Sequence, residues 1–274
     1  MVVSITILKV GFIGVTTLIE AILDERASRK DITVYSVSSG SKMELENIQK
    51  IEEISSLIKT DLFILVTPNA SLREPRELAE RLSRNKPTII VSDTPTKKIT
   101  EEIKDKIGYI IVEADSMIGV RKEFLDPVEM TIFNSDVIKV LSVTGAFRAI
   151  HLEIDRVIDE IALEKEVKSP SLVIDKDVAI NASGISNSYA RAKAIASYEA
   201  AKRVASLSIN GSYKEKDRTK HLILVEAAHE LMREAAKLAD EAREIEKCND
   251  SVFRRVHESN GSQKTKRGLM DTLS

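Results

Sequence analysis

Before residue 113 the chain repeats one pattern: a short β-branched, apolar run, then a stretch in which apolar residues fall at helical spacing. No other feature constrains the fold as tightly. The runs cover residues 2–8, 32–37, 62–66, 88–91 and 109–112; helices are predicted from the first glycines to near Ala27 and over 44–59, 72–82 and 99–107. A strand that is apolar on nearly every residue has both faces covered, and strands that alternate with helices pair in parallel through crossovers. The expectation is an α/β fold: a parallel, doubly wound, Rossmann-like sheet. Ligands of such sheets sit beyond the C-terminal strand ends, near the point where strand order reverses. The loops at 9–16, 38–42, 67–71, 92–97 and 113–121 are therefore the places to look.

The second half reads differently. Asp126 is a predicted N-cap, Pro127 occupies N1, and Glu129 at N3 completes a capping box. Apolar spacing then continues to Ile161 with a break at Thr144-Gly145, followed by a short strand at 171–174 and an alanine-rich helix at 188–205. Asn210-Gly211, set between short alternating runs, predicts a β-hairpin. In a last helix over 220–247, Leu224, Leu231, Leu238 and Ile245 recur every seven residues beside Ala228, Ala235 and Ala242, a seam that admits a close neighbour. The chain past Asn249 reads as a loosely ordered tail. These features divide the molecule into an α/β cofactor-binding domain, 1–125, and a helical domain with a small β-hairpin and a C-terminal tail, 126–274: a C-terminal helical bundle with a small β segment.

Composition removes several functions. Lys plus Arg at 41 against Asp plus Glu at 43 leaves a net charge of −2, so no general electrostatic attraction to nucleic acid or to an anionic membrane exists. No apolar stretch approaches the ~20 residues that span a bilayer. The opening residues lack a signal peptide's basic region and are broken at Lys9. A single cysteine, Cys248, rules out an intrachain disulfide and fits a reducing cytoplasm. The four histidines are dispersed without HExxH or Cys/His pairing, so no metal site is expected.

The strand-end loops carry the remaining chemistry. Gly11-Phe12-Ile13-Gly14 is half of a dinucleotide fingerprint without its third glycine. The second strand exits into Ser38-Ser39-Gly40-Ser41-Lys42, where an NAD-binding sheet places an acid for the ribose; this exit suits an anionic group, or is a plain polar turn. Thr67-Pro68-Asn69 and Ser92-Asp93-Thr94-Pro95 each set a polar side chain beside a turn proline. Asp115 and Arg121 flank the exit of strand five. No GxSxG, P-loop or Cys/His pair is present. An enzyme that aligns two organic molecules for direct hydride transfer needs no such machinery.

The string GVRKEFLDPVEM at 119–130, with those at 108–112, 134–148, 172–175 and 228–233, closely resembles the coenzyme F420-dependent methylenetetrahydromethanopterin dehydrogenases of archaea, in matching order along nearly the whole chain. The resemblance implies a cytoplasmic homohexamer of archaeal one-carbon metabolism and methanogenesis. Its reaction is reversible hydride transfer between methylene-tetrahydromethanopterin and coenzyme F420, with no metal, no prosthetic flavin and no protein acid-base residue. It assigns Lys9, Gly11, Gly14, Pro68, Asn69, Asp93 and Pro95 to the F420 cleft, and Asp115, Arg121, Asp126 and Pro127 to the pterin side. The chain departs from the family pattern at Phe12, where a small polar residue is expected, and in the loops after Pro68 and Pro95. An NAD(P)-dependent α/β oxidoreductase and a non-catalytic oligomeric paralogue are the alternatives.

Overall fold

The computed structural model describes all 274 residues. Its centre is a six-stranded, all-parallel sheet in the order β2-β1-β3-β4-β5-β6. The strands are β1 (Val3–Lys9), β2 (Ile32–Ser38), β3 (Leu62–Thr67), β4 (Thr88–Ser92), β5 (Gly108–Val112) and β6 (Ser171–Ile174). Every residue of β3, β4 and β5 is buried, whereas the edge strand β2 is largely open, as its mixed sequence requires.

Helices α2 (Leu45–Ser56), α3 (Arg73–Ser83) and the short α4 (Thr100–Ile103) cover one face. There Leu8, Leu65, Ile90 and Ile111 pack against Ile48, Leu78 and Ile103. On the other face Ile5, Ile7, Ile64 and Val91 meet α1 (Gly14–Asp24), α5 (Pro127–Val143) and α6 (Ala146–Ala162). Side chains alternate across the strand plane, which is why neighbours such as Ile7 and Leu8 belong to different cores.

That second core runs on into α7 (Lys176–Ser183), α8 (Ser188–Ile209) and α9 (Arg218–Cys248), so residues 1–125 and 126–274 share it. The later half also supplies β6. Ser171 and Ile174 pair with Tyr109 and Val112, so the short strand expected at 171–174 joins the five-stranded sheet as its sixth member. Asp126 caps α5 as expected, accepting from the Glu129 amide at 2.8 Å. Glu129 does not complete the box: its carboxylate takes the Nδ1 of His229 on α9 at 2.7 Å, where Phe124 and Phe133 also pack on the imidazole ring.

Two local expectations fail. Asn210-Gly211 is not a hairpin but part of a π-helical turn, Asn210–Lys214, that carries α8 toward α9. A Cβ on Gly211 would lie 2.8 Å from Val225 Cγ2, so the glycine is there to let α9 approach. The hairpin lies instead in the supposed loose tail, where β7 (Arg254–His257) pairs antiparallel with β8 (Gln263–Lys266). It is fastened by charge: Arg255 and His257 both reach Asp155 on α6 at 3.0 Å. Histidines dispersed in sequence thus converge in space, since His151, Asp155 and His257 offer ligand atoms within 4.8 Å of one another. Arg29 also bonds Asp155, at 3.0 Å, so two guanidiniums already neutralise the acid a cation would need.

The heptad seam is a packing surface. Ala228, Ala235 and Ala242 are fully buried, and the Ser197 hydroxyl of α8 donates to the Ala235 carbonyl at 2.7 Å, a distance only small side chains permit. Ala235→Leu adds volume where none is free and should destabilise the protein by about 1–3 kcal/mol. Chemical denaturation checks this, and an unchanged midpoint would show that the helices part to accept the larger side chain.

Candidate active site

Strand order reverses between β1 and β3, and the loops leaving these strands touch. Gly11 takes φ +83°, and a Cβ there would lie 2.7 Å from Pro68 Cδ and 2.8 Å from Met43 Sδ. Any larger residue would clash with both neighbours and strain the backbone. The β3 exit is tied in turn to the β4 exit: Ser92 donates to the Thr67 carbonyl at 2.6 Å, and Thr96 accepts from the Ala70 amide at 2.8 Å. The Thr67 hydroxyl itself is buried without a partner.

Asp115 closes the arrangement from the far side. Beyond the end of β5, fully buried, it accepts from the Gly14 amide at 2.7 Å and the Val15 amide at 2.9 Å, capping α1 with a residue about a hundred positions away. The helix N-terminus favours the carboxylate, yet burial prevails and pushes its pKa up to about 6. Asp93, at the end of β4, is pushed further, to about 8, by burial and by the nearby charges of Asp115 and Glu113 against the stabilising Thr94 amide at 2.5 Å. At neutral pH its carboxyl is mostly protonated. Burial would also raise Glu113, but Lys202 at 2.6 Å and Lys97 hold it below the usual carboxylate range.

Beside this floor a trough of about 470 Å³ runs between α1 and α5. Phe12 and Thr17 form one wall; Pro127, Met130, Thr131, Asn134, Ser135 and Ile138 form the other. Apolar surface dominates, with hydroxyls and one amide interspersed, a lining suited to a flat ring system with a polar edge.

The structure therefore brings together Gly11 with Pro68, Gly14 with Asp115, Asp93 with Asp115, and the loop of Gly11 and Gly14 with Pro127 through Phe12. Asp126 is exposed beside them as the α5 cap. Pro95 is the second residue of the 3-10 turn Thr94–Ile99. Asn69 accepts from the Ser71 amide and hydroxyl in a local turn. Lys9 is engaged elsewhere, its ammonium 2.6 Å from Glu20 on α1. Arg121 clamps the loop between β5 and α5 to the π-helical turn and the residue after it, donating to the carbonyls of Gly211 and Glu215. Sequence reasoning missed the polar stripe Thr131, Asn134 and Ser135, although its i, i+3, i+4 spacing was legible. It also missed the pairing of Glu113 with Lys202, which only the tertiary fold creates.

A doubly wound parallel sheet with its strand-end loops joined and an apolar trough beside them defines an α/β protein with a ligand site at the switch point of its sheet. The chain belongs to the methylene-5,6,7,8-tetrahydromethanopterin dehydrogenase family, whose model matches residues 3–274. It is 48% identical over 271 residues to the F420-dependent methylenetetrahydromethanopterin dehydrogenase of Archaeoglobus fulgidus, covering 98% of each chain. It is 44% identical over 272 residues to that of Methanothermobacter thermautotrophicus, covering 98% of this chain and 99% of the relative. A solved F420-dependent methylene-tetrahydromethanopterin dehydrogenase, in complex with methylene-tetrahydromethanopterin and coenzyme F420, superposes with a TM-score of 0.96 at 36% identity over 100% of both chains.

The buried acids set a pH dependence. Between about pH 4 and 8 the unfolded chain binds fewer protons at Asp93 and Asp115 than the folded one, so these groups lower stability as pH rises through that window. Asp93→Asn keeps the neutral shape and removes the higher of the two titrations. Its thermal midpoint should vary less than that of wild type between about pH 6 and 8, and parallel curves would mean that Asp93 does not hold its proton.

Proposed function

We propose that this chain catalyses reversible hydride transfer between methylene-tetrahydromethanopterin and coenzyme F420, giving methenyl-tetrahydromethanopterin and reduced F420. The carrying observation is a full-length match in fold and sequence to an enzyme solved with both of those molecules, combined with an apolar strand-end trough whose shape takes rings. Coenzyme F420 supplies a deazaflavin ring carbon that accepts or returns the hydride.

The chain's part is alignment. Gly11 lets Pro68 and Met43 close over the switch point, and the Asp115 cap fixes the start of α1 so that Phe12 and Thr17 face α5 at a set distance. Apolar walls exclude water, which lets small differences in placement act strongly on the transfer. Asp93, mostly neutral, offers a hydrogen-bond donor to a polar ring edge without adding charge. The carboxylates of Asp126 and Asp115 lie on the side we assign to the pterin, where negative charge favours the cation left when hydride departs. Arg121 acts by holding the loop between β5 and α5.

We further propose a cytoplasmic homohexamer. No helix is long and apolar enough to cross a membrane. The exposed, unpaired Cys248 suits a reducing compartment, and the exposed Val128 and Ile132 on α5 suit burial against another copy.

Loss of deazaflavin absorbance on mixing the protein with F420 and the methylene pterin tests the assignment, with NADP as the alternative acceptor. Wild type should reduce F420 alone, and Phe12→Ala, which opens one wall of the trough, should lower kcat/KM at least about tenfold, a loss of about 1.4 kcal/mol in transition-state stabilisation. Absence of both reduction and binding of F420 in wild type would overturn it.

A further inference from the structure

Next to the trough and farther along α1, beginning at Leu18 and Ser142, lies a second depression of about 360 Å³, walled by Ile22, Phe147, Arg148, His151 and Arg255. One of its cations, Arg148, has no carboxylate beside it, and two of its donors have no partner. The Arg255 side chain is 8% exposed; Nε bonds Gln263 at 2.8 Å and one terminal nitrogen bonds Asp155 at 3.0 Å, while Nη1 is buried with no partner. The Nε2 of His151 is likewise buried without a hydrogen bond, 3.5 Å from the same Asp155 oxygen. Arg148 donates only to the carbonyls of Ala182, Ser183 and Phe253. Burial and the charges of Arg243, Arg255 and Arg267 push its pKa down to about 10, with no carboxylate opposing them.

The neighbouring acids are already committed. Asp155 serves Arg29, Arg255 and His257; Glu25 takes His257 at 2.7 Å, and Asp31 takes Arg29 at 2.6 Å. A cation in this pocket would compete with two guanidiniums for Asp155. A water molecule would satisfy a donor and leave the Arg148 charge unopposed. An anion answers both the unpartnered donors and the Arg148 charge that no carboxylate opposes.

We propose that this pocket binds a small oxyanion, phosphate or carboxylate, on a short apolar stem. Arg255 Nη1 and His151 Nε2 donate to its oxygens, Arg148 contributes charge, and Ile22 and Phe147 hold the stem. The site lies beside the trough with a lining of its own: Leu18 follows Thr17 on α1 and Ser142 stands one turn beyond Ile138 on α5, yet no residue lines both depressions.

Calorimetric titration of the full-length protein with inorganic phosphate and, separately, butyrate, against a chloride background of matched ionic strength, tests the proposal. Saturable binding of either probe is expected, and which one binds separates the two oxyanion classes. Ala21→Glu places a carboxylate on the exposed wall, where it can occupy the guanidinium without disturbing the Asp155 network, and should weaken binding at least about tenfold. Arg255→Lys keeps the charge but loses the forked donor, and should weaken it as well. No saturable heat with either probe, or equal binding in wild type and Ala21→Glu with the fold intact by circular dichroism, would overturn it.

Discussion

A carboxylate with no exposure to solvent holds the start of α1 to the end of β5. Asp115 spends both oxygens on the Gly14 and Val15 amides, so the loop after β1 and the loop after β5 become one rigid floor. Burial raises its pKa, but two amide donors and the helix dipole keep the charged form accessible. Removing one partner of such a contact costs more than the bond is worth, because the other is left unsatisfied in the interior. The trough depends on it: if α1 shifts, Phe12 and Thr17 move relative to Pro127 and Ile138.

The helical half supplies the opposite wall, and its position is set by close packing rather than by many polar bonds. Three alanines of α9 seat against α8, while His229 and Glu129 join α9 to the first turn of α5. Burial lowers the imidazole's pKa, so the contact is a neutral donor to a carboxylate that persists at neutral pH. The Asp126 cap and Arg121 clamp fix the same corner from the loop side. A wall built from one helix face and a floor built from strand-end loops can keep two ring systems at a set separation without any residue taking a proton.

Much of this was legible in the sequence because it is local. Apolar runs with helical interludes specify a parallel sheet, and Asp126-Pro127 announces a helix start wherever it sits. Glycine meant close approach at both Gly11 and Gly211, but the sequence around Asn210-Gly211 carries a turn signal that the packing of α9 on Val225 overrides. The C-terminal hairpin was hidden for a different reason. Its strands are charged, and they are ordered by Asp155, a residue about a hundred positions earlier. Asp115, Lys9 and Arg121 were each recognisable as charged residues at strand ends; what each one binds follows only from the fold. Asp115 meets backbone amides, Lys9 meets Glu20, and Arg121 meets two carbonyls.

The central claim is that a buried cap preorganises the site, and Asp115→Asn tests it most directly. The amide side chain is isosteric, but its nitrogen cannot accept from Val15, so one backbone donor is left unpaired and the start of α1 loosens. Fluorescence titration of the deazaflavin should give a dissociation constant for coenzyme F420 at least about tenfold weaker in the variant than in wild type, at a pH where both are folded. An unchanged constant would contradict the account and reduce Asp115 to a contributor to stability alone.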